Sequence, residues 1–171
     1  MDAKKYAAIY LEFAKAMKAV DPTIKIGGPT SSNDSITFVE ELIKQAGDYI
    51  DFISFHTYPV DGKTFAADAM LAETPRVGKA ADKIREWIKQ HRPDRVGKIE
   101  IGVTEWHVKV HEDDLTCNLL SGIWATRFIG EMYEARIDFA NQWDQFSTTS
   151  HGGGHGTFQN DGSMTPRAFF W

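Results

Sequence analysis

The chain has 171 residues, 42% of them apolar and 25% charged, the proportions of a folded globular domain rather than a disordered one. Its formal charge of −5 argues against nucleic acid as the main partner. No run of ~18 apolar residues is present to span a membrane, and the single cysteine, Cys117, excludes an internal disulfide and a cysteine-based zinc site. The length predicts one domain, and the first ten residues lack the basic region and apolar stretch of a signal peptide.

In chain order, residues 2–19 are predicted as a helix, because Tyr6, Ile9, Tyr10, Phe13, Met17 and Val20 recur at steps of three and four along one face. Asp2 is placed to cap it and Asp21-Pro22 to stop it. Ile24 to Ile26 follow as a short strand ended by Gly27-Gly28-Pro29. A second helix, capped within Ser32 to Asp34, carries Ile36, Val39, Leu42, Ile43 and Ala46 and stops at Gly47. Tyr49 to Phe55 is β-rich with apolar residues of both parities, the habit of a strand buried on both faces in a parallel sheet. Residues 60–75 are the longest irregular connection. Thr74-Pro75 opens a third helix on Val77, Ala80, Ala81, Ile84, Trp87, Ile88 and His91. Ile99 to Thr104 is a third strand. A fourth helix, capped by Asp113 or Asp114, holds Leu115, Leu119, Ile123, Phe128 and Met132. Ile137 to Trp143 is a fourth strand, and a Gly- and His-rich loop follows at Ser150 to Thr157. Strict alternation of helices with buried strands predicts an α/β fold with a parallel sheet.

Functional groups in such folds lie where the strands end at their C-terminal side. Those ends carry Gly27 to Thr30, then His56-Thr57-Tyr58-Pro59, then Glu105-Trp106-His107, then Asn141 to Asp144. Glu105 directly follows a buried strand, which aims a carboxylate at the mouth of the sheet. The bland reading is a solvated surface glutamate. His56 and Tyr58 share parity, so both can face one side and donate hydrogen bonds to a carboxylate or a sugar hydroxyl. Trp143 offers a flat apolar face for a sugar ring, or else packs in a core. The pairs His107/His111 and His151/His155 have metal-ligand spacing but fall in predicted loops without a third ligand. Gly152 to Gly154 lacks the Lys-Ser/Thr of a phosphate loop, and no nucleophile-elbow motif is present. Asn33-Asp34-Ser35 matches a glycosylation acceptor, a match that often arises by accident.

Four segments in register carry a resemblance. Lys25 to Pro29, Asp51 to Pro59, Val103-Thr104-Glu105-Trp106 and Phe139 to Trp143 resemble strands five, six, seven and eight of the retaining (β/α)8-barrel glycoside hydrolases whose catalytic glutamates sit on strands four and seven. The nearest flavour is β-xylosidase/α-L-iduronidase-like, with arabinofuranosidase-like and cellulase-like members close by. The resemblance implies a partial TIM barrel: one domain over 1–171, the C-terminal half of a barrel cut at both ends. It implies hydrolysis of a plant-type polysaccharide or oligosaccharide. Glu105 becomes the nucleophile, His56 and Tyr58 hold that carboxylate or the sugar, Trp143 is a platform, and Trp106 lines the same cleft. No metal or cofactor is required.

A complete barrel of this kind needs ~250 residues. The family's acid/base glutamate follows an asparagine on strand four, and no Asn-Glu pair occurs here. A retaining mechanism needs two carboxyls ~5 Å apart, so the chain is expected to turn over substrate weakly or not at all alone. Its open sheet edges invite a homodimer, in which Asp144 of one copy approaches Glu105 of the other as a substitute acid. Two further readings stay open: a non-catalytic carbohydrate-binding or scaffold module, and a phosphate-binding enzyme using Gly27-Gly28 and Gly152 to Gly154.

Overall fold

The computed structural model describes residues 1–31, 36–58, 61–62, 66–110, 118–146, 156–165 and 168. The elements run α1 (Ala3–Val20), β1 (Gly27–Ser31), α2 (Val39–Ala46), β2 (Phe52–Thr57), β3 (Asp61–Gly62), α3 (Ala67–Ala72), α4 (Arg76–His91), β4 (Glu100–Trp106), β5 (Lys109–Val110), α5 (Leu119–Glu134) and β6 (Phe139–Gln142). β1, β2, β4 and β6 form a four-stranded sheet in that order, every pair parallel, and β3 and β5 form a small parallel pair. Consecutive strands are joined by helices, so the predicted α/β fold with a parallel sheet is what the chain forms.

The core lies between the helices and one face of the sheet. Alternate strand residues Ile53 and Phe55 on β2 and Ile101 and Val103 on β4 are buried there against Leu42 and Ile84. Each side chain of this size contributes about 1.5–3 kcal/mol on leaving water.

The opposite face is built differently. Phe52 lies over Gly27 of the neighbouring strand, where an added Cβ would sit 2.2 Å from the Phe52 carbonyl oxygen. Phe139 lies over Gly102, where a Cβ would meet the ring at 2.1 Å. The two rings meet edge to face, centroids 5.5 Å apart. Glycine on β1 and β4 makes room for phenylalanine on β2 and β6, the alternate-strand layering that fills the interior of a (β/α)8 barrel.

The same two-strand unit occurs twice. Asp51 Oδ2 accepts the Ile26 N–H at 2.9 Å, and Asp138 Oδ2 accepts the Ile101 N–H at 2.7 Å. Ile50-Asp51-Phe52 and Ile137-Asp138-Phe139 are identical triplets, and Ile26-Gly27 matches Ile101-Gly102.

Several boundaries differ from the expectations. β1 starts at Gly27 instead of ending there, because Asp51 engages both the N–H and the carbonyl of Ile26 and pairing begins one residue later, Gly27 beside Phe52. The glycines mark close approach of a ring, not a turn. α2 starts at Val39 with no side-chain cap, and most of the expected cap region, 32–35, lies outside the described residues. The 60–75 connection contains β3 and α3. α4 begins at Arg76, with Pro75 just before it. α5 begins at Leu119, where Asn118 Oδ1 accepts the Ser121 N–H at 3.1 Å; Asp113, Asp114 and Leu115 lie outside the described residues. The cap of α1 is Asp2, as expected, accepting the Lys5 N–H at 2.8 Å.

Two helix faces are also corrected. On α1 the fully buried residues are Ala7 and Ala14, while Phe13, Met17 and Val20 are exposed. On α5 Trp124, Phe128 and Met132 are buried, while Leu119 and Ile123 are exposed. Both helices flank the ends of the sheet.

Candidate active site

Pairing of β2 with β4 is regular up to Phe55 beside Val103. It then skips Thr104, so that His56 lies beside Glu105 and Thr57 beside Trp106. This β-bulge decides which side each residue faces. With strict alternation from buried Val103, Glu105 would point to the helices and Trp106 to the barrel interior. The extra residue reverses both. Glu105 turns inward beside His56, and Trp106 turns outward, 4% exposed, against Trp124 and Phe128 of α5 at ring-centroid distances of 6.3 and 5.5 Å. Trp106 is therefore a core residue and does not line the mouth as expected.

His56 and Tyr58 do share a side, and both reach Glu105. Tyr58 donates its hydroxyl to Glu105 Oε2 at 2.8 Å, and His56 Nδ1 lies 3.3 Å from the same oxygen. The carboxylate keeps 28% of its side-chain surface exposed and His56 keeps 16%, so the pair is partly sheltered yet reachable from solvent. Burial, the hydrogen bond to Glu105 and the negative charges of Glu105 and Asp144 all hold the Tyr58 phenol well above its usual range, so it stays protonated as a donor.

The end of β6 closes this side of the mouth. Trp143 is 46% exposed, its N–H donating to the Trp106 carbonyl at 3.2 Å, and its peptide bond to Asp144 is cis. The Gln142 side chain donates to the Trp143 carbonyl and accepts from Thr157 Oγ1 at 2.8 Å, while the Thr157 N–H donates to the Asp144 carbonyl at 3.2 Å. Asp144 is half-buried, and its Oδ1 is shielded from water without a hydrogen-bond donor among the described residues. The structure thus brings Glu105, His56, Tyr58 and Asp144 to one mouth and leaves Trp106 out.

The other candidates fall away from this centre. His107 is 2% exposed, with Nδ1 against the Val108 carbonyl, and His111, His151 and His155 lie outside the described residues. Among the described residues no cluster of three His, Cys, Asp or Glu side chains is placed to hold a metal ion. Gly27 accommodates the Phe52 ring instead of cradling phosphate, and Gly152 to Gly154 lie outside the described residues. A groove of about 420 Å³ lined by Arg85, Ile88, Ile101 and Asp138 lies toward the N-terminal ends of β4 and β6, away from Glu105. No described helix is long and apolar enough to cross a membrane.

The family model for Glycosyl hydrolases family 39 matches residues 1–113, which include β1, β2, β4 and Glu105. The chain belongs to glycosyl hydrolases family 39. This family-39 chain is 28% identical over 108 residues to a beta-xylosidase of Caldicellulosiruptor saccharolyticus, covering 61% of the chain and 21% of that protein. It is 30% identical over 126 residues to an intracellular exo-alpha-(1->5)-L-arabinofuranosidase of Acetivibrio thermocellus, covering 68% of the chain and 24% of that enzyme. It thus spans about a fifth to a quarter of the length of these curated relatives. Among solved structures, the GH51 arabinofuranosidase of Xanthomonas axonopodis pv. citri superposes with a TM-score of 0.75 at 17% identity, over 99% of this chain and 38% of that one. The GH51 alpha-L-arabinofuranosidase of Thermotoga petrophila gives 0.74 at 20% identity, over 99% and 35%. At these identities the likeness shows the fold, that of a partial glycoside hydrolase barrel.

Two features of the site were not read from the sequence. The bulge at Thr104 has no local signature, since nothing in Val103-Thr104-Glu105-Trp106 tells which residue is skipped. The duplicated Ile-Asp-Phe triplet was readable, and it marks the strands that supply the interior phenylalanines.

Proposed function

We propose that this chain carries the nucleophile half of a retaining glycosidase site, with Glu105 as the nucleophile. The observation that carries this reading is the grouping at one oxygen of Glu105: Tyr58 donates its hydroxyl to Oε2 at 2.8 Å and His56 Nδ1 lies 3.3 Å from the same atom, which leaves Oε1 for the substrate. Oε1 attacks the anomeric carbon. The bond from that carbon to the leaving-group oxygen breaks as an acid protonates that oxygen, and water later releases the glycosyl ester. Tyr58 and His56 fix the carboxylate, and Trp143 gives the sugar an apolar platform at the rim. The relatives' names point to pentosides, β-xylosides or α-L-arabinofuranosides, as the substrate class. In the barrel that the chain resembles, the acid that protonates the leaving group sits on strand four, which is not among the four described sheet strands.

Activated 2-deoxy-2-fluoro pentosides test this reading, because their leaving groups need no acid. Intact mass is expected to show one added glycosyl group, located by peptide mapping on Glu105 and absent in Glu105→Gln. Sugar-dependent quenching of tryptophan fluorescence without any adduct would instead favour the carbohydrate-binding reading.

A further inference from the structure

We propose that the groove at the N-terminal ends of β4 and β6 binds a small aryl carboxylate, its ring on an isoleucine floor and its charge on Lys89 and Arg136. The proposal stands apart from the reading of Glu105, which lies at the other end of β4.

The groove is built by elements with neighbours on both sides. β4 pairs with β2 and with β6, and α4 packs against α2 and α5. Val96, Gly97 and Ile99 belong to the connection between α4 and β4, while Arg136 and Asp138 belong to the turn between α5 and β6. Neither α1 nor β1 lines it. Arg85 on α4 fastens the two sides, its Nη2 donating to the Ala135 and Arg136 carbonyls at 2.6 and 2.7 Å. These carbonyls lie just past the end of α5, where a helix leaves acceptors unsatisfied. The walls are thus held in place by the protein's own bonds.

The floor is apolar. Ile88, Ile99 and Ile101 keep only 4%, 7% and 2% of their surface, and the groove lies over them. At the rim Val96 is 55% exposed, and Gly97, at φ +74°, has nothing within 4 Å of where a Cβ would stand. The volume of about 420 Å³ is well above the ~150 Å³ that takes a benzene ring. A ring with a short charged arm therefore fits.

Charge selects the rest of the ligand. Both lining carboxylates are engaged: Glu100 pairs with Lys25 at 2.5 Å, and Asp138 Oδ2 accepts the Ile101 N–H at 2.7 Å. The cations Lys89 and Arg136 also line the groove, and among the described residues neither side chain has an ion-pair or hydrogen-bond partner. An apolar floor beside two unneutralised cations complements an apolar body with an anionic head, and a planar carboxylate matches a guanidinium in two parallel hydrogen bonds.

The backbone of Arg136 gives a second argument. Its φ of +52° lies in the left-handed region, where glycine or asparagine ordinarily follows a helix end. An arginine is strained there, and no described protein group uses its side chain. Strain retained under these conditions points to a role in binding.

The test is methyl NMR on the full chain with cinnamate as probe. Cinnamate should shift the methyls of Ile88, Ile99 and Ile101 with one sub-millimolar affinity and leave Ile9 and Ile123 in place. Cinnamamide has the same shape without the charge and should bind about tenfold more weakly, as should the double variant Lys89→Gln with Arg136→Gln. Val96→Glu, at the exposed rim, should abolish binding without lowering the melting temperature. Arg136→Gly should weaken binding yet melt no lower than wild type, because glycine suits that φ. The site is overturned if no floor methyl saturates below about 5 mM cinnamate, or if Ile9 and Ile123 shift as much as the floor. Equal affinity for cinnamamide, or full affinity in the double variant, overturns the part given to Lys89 and Arg136. An Arg136→Gly chain that binds fully and melts lower shows a structural arginine and overturns its assignment.

Discussion

Tyr58 and Glu105 stand 47 residues apart in the chain and are joined hydroxyl to carboxylate at 2.8 Å. The contact exists because β2 and β4 are neighbours and because one skipped residue, Thr104, turns Glu105 to the side on which Tyr58 already lies.

Tyr58→Phe keeps the ring and removes this hydrogen bond. Loss of one hydrogen bond to a charged group costs about 1.5–3 kcal/mol, so adduct formation on Glu105 is expected to slow roughly 10- to 100-fold. Stability should change little. Stopped-time intact mass measures the first and thermal melting the second. Because the phenol is held above its usual range, titration at 295 nm should also show no Tyr58 signal in the wild-type minus Tyr58→Phe difference at pH 10.

Trp106 and Trp143 separate packing from the rim. Trp106→Ala opens a cavity against Trp124 and Phe128 and should cost about 3–5 kcal/mol, visible as a lower urea midpoint. Trp143→Ala removes a side chain that is 46% exposed. It should cost about 1 kcal/mol or less while abolishing sugar-dependent fluorescence quenching.

The interior glycines should differ in tolerance. Gly27→Ala drives a Cβ to 2.2 Å from the Phe52 carbonyl oxygen, which the strand pairing holds in place. At Gly102→Ala the three nearest atoms all belong to the Phe139 ring, a side chain that can tilt where a carbonyl in a strand cannot. Overpacking costs about 1–3 kcal/mol. Gly27→Ala is expected at the upper end and Gly102→Ala at the lower, read from denaturant midpoints.

Asp51 gives a pH-dependent term. Burial pushes its carboxyl up, but the hydrogen bond from Lys18 at 2.7 Å, the Ile26 N–H and the nearby positive charge of Arg95 outweigh it and leave the pKa below 3.8. A carboxyl held low in the fold stabilises above its unfolded value and loses that contribution as pH falls through the folded one. Asp51→Asn should therefore melt lower than wild type at pH 7, by about 1 kcal/mol, and the gap should close below about pH 4.

Much of this protein was fixed by local pattern. Buried strand runs at 49–55 and 99–104 and the helical periodicity from Val77 to His91 predict alternating elements and hence a parallel sheet. The strand ends then name His56, Tyr58 and Glu105, because parity and position along a strand are properties of sequence. Apolar periodicity also marked Phe13, Met17, Leu119 and Ile123 as buried, and the structure leaves them exposed.

What only the tertiary structure decided is direction and partnership. The place of the skipped residue, Thr104, in the pairing determines that Glu105 faces the mouth and Trp106 the core, since a bulge is set by pairing with β2 and not by the residues inside it. From sequence Gly27 reads as the end of a strand and Gly102 lies unremarked within one, yet they are flat surfaces for Phe52 and Phe139, because a missing side chain gains meaning only when a neighbouring strand fills its place. Length and composition describe one ordinary domain; among the described residues the outer strands β1 and β6 each pair on one side only, because the hydrogen bonds of a parallel strand are completed by another strand and not by the residues that precede or follow it.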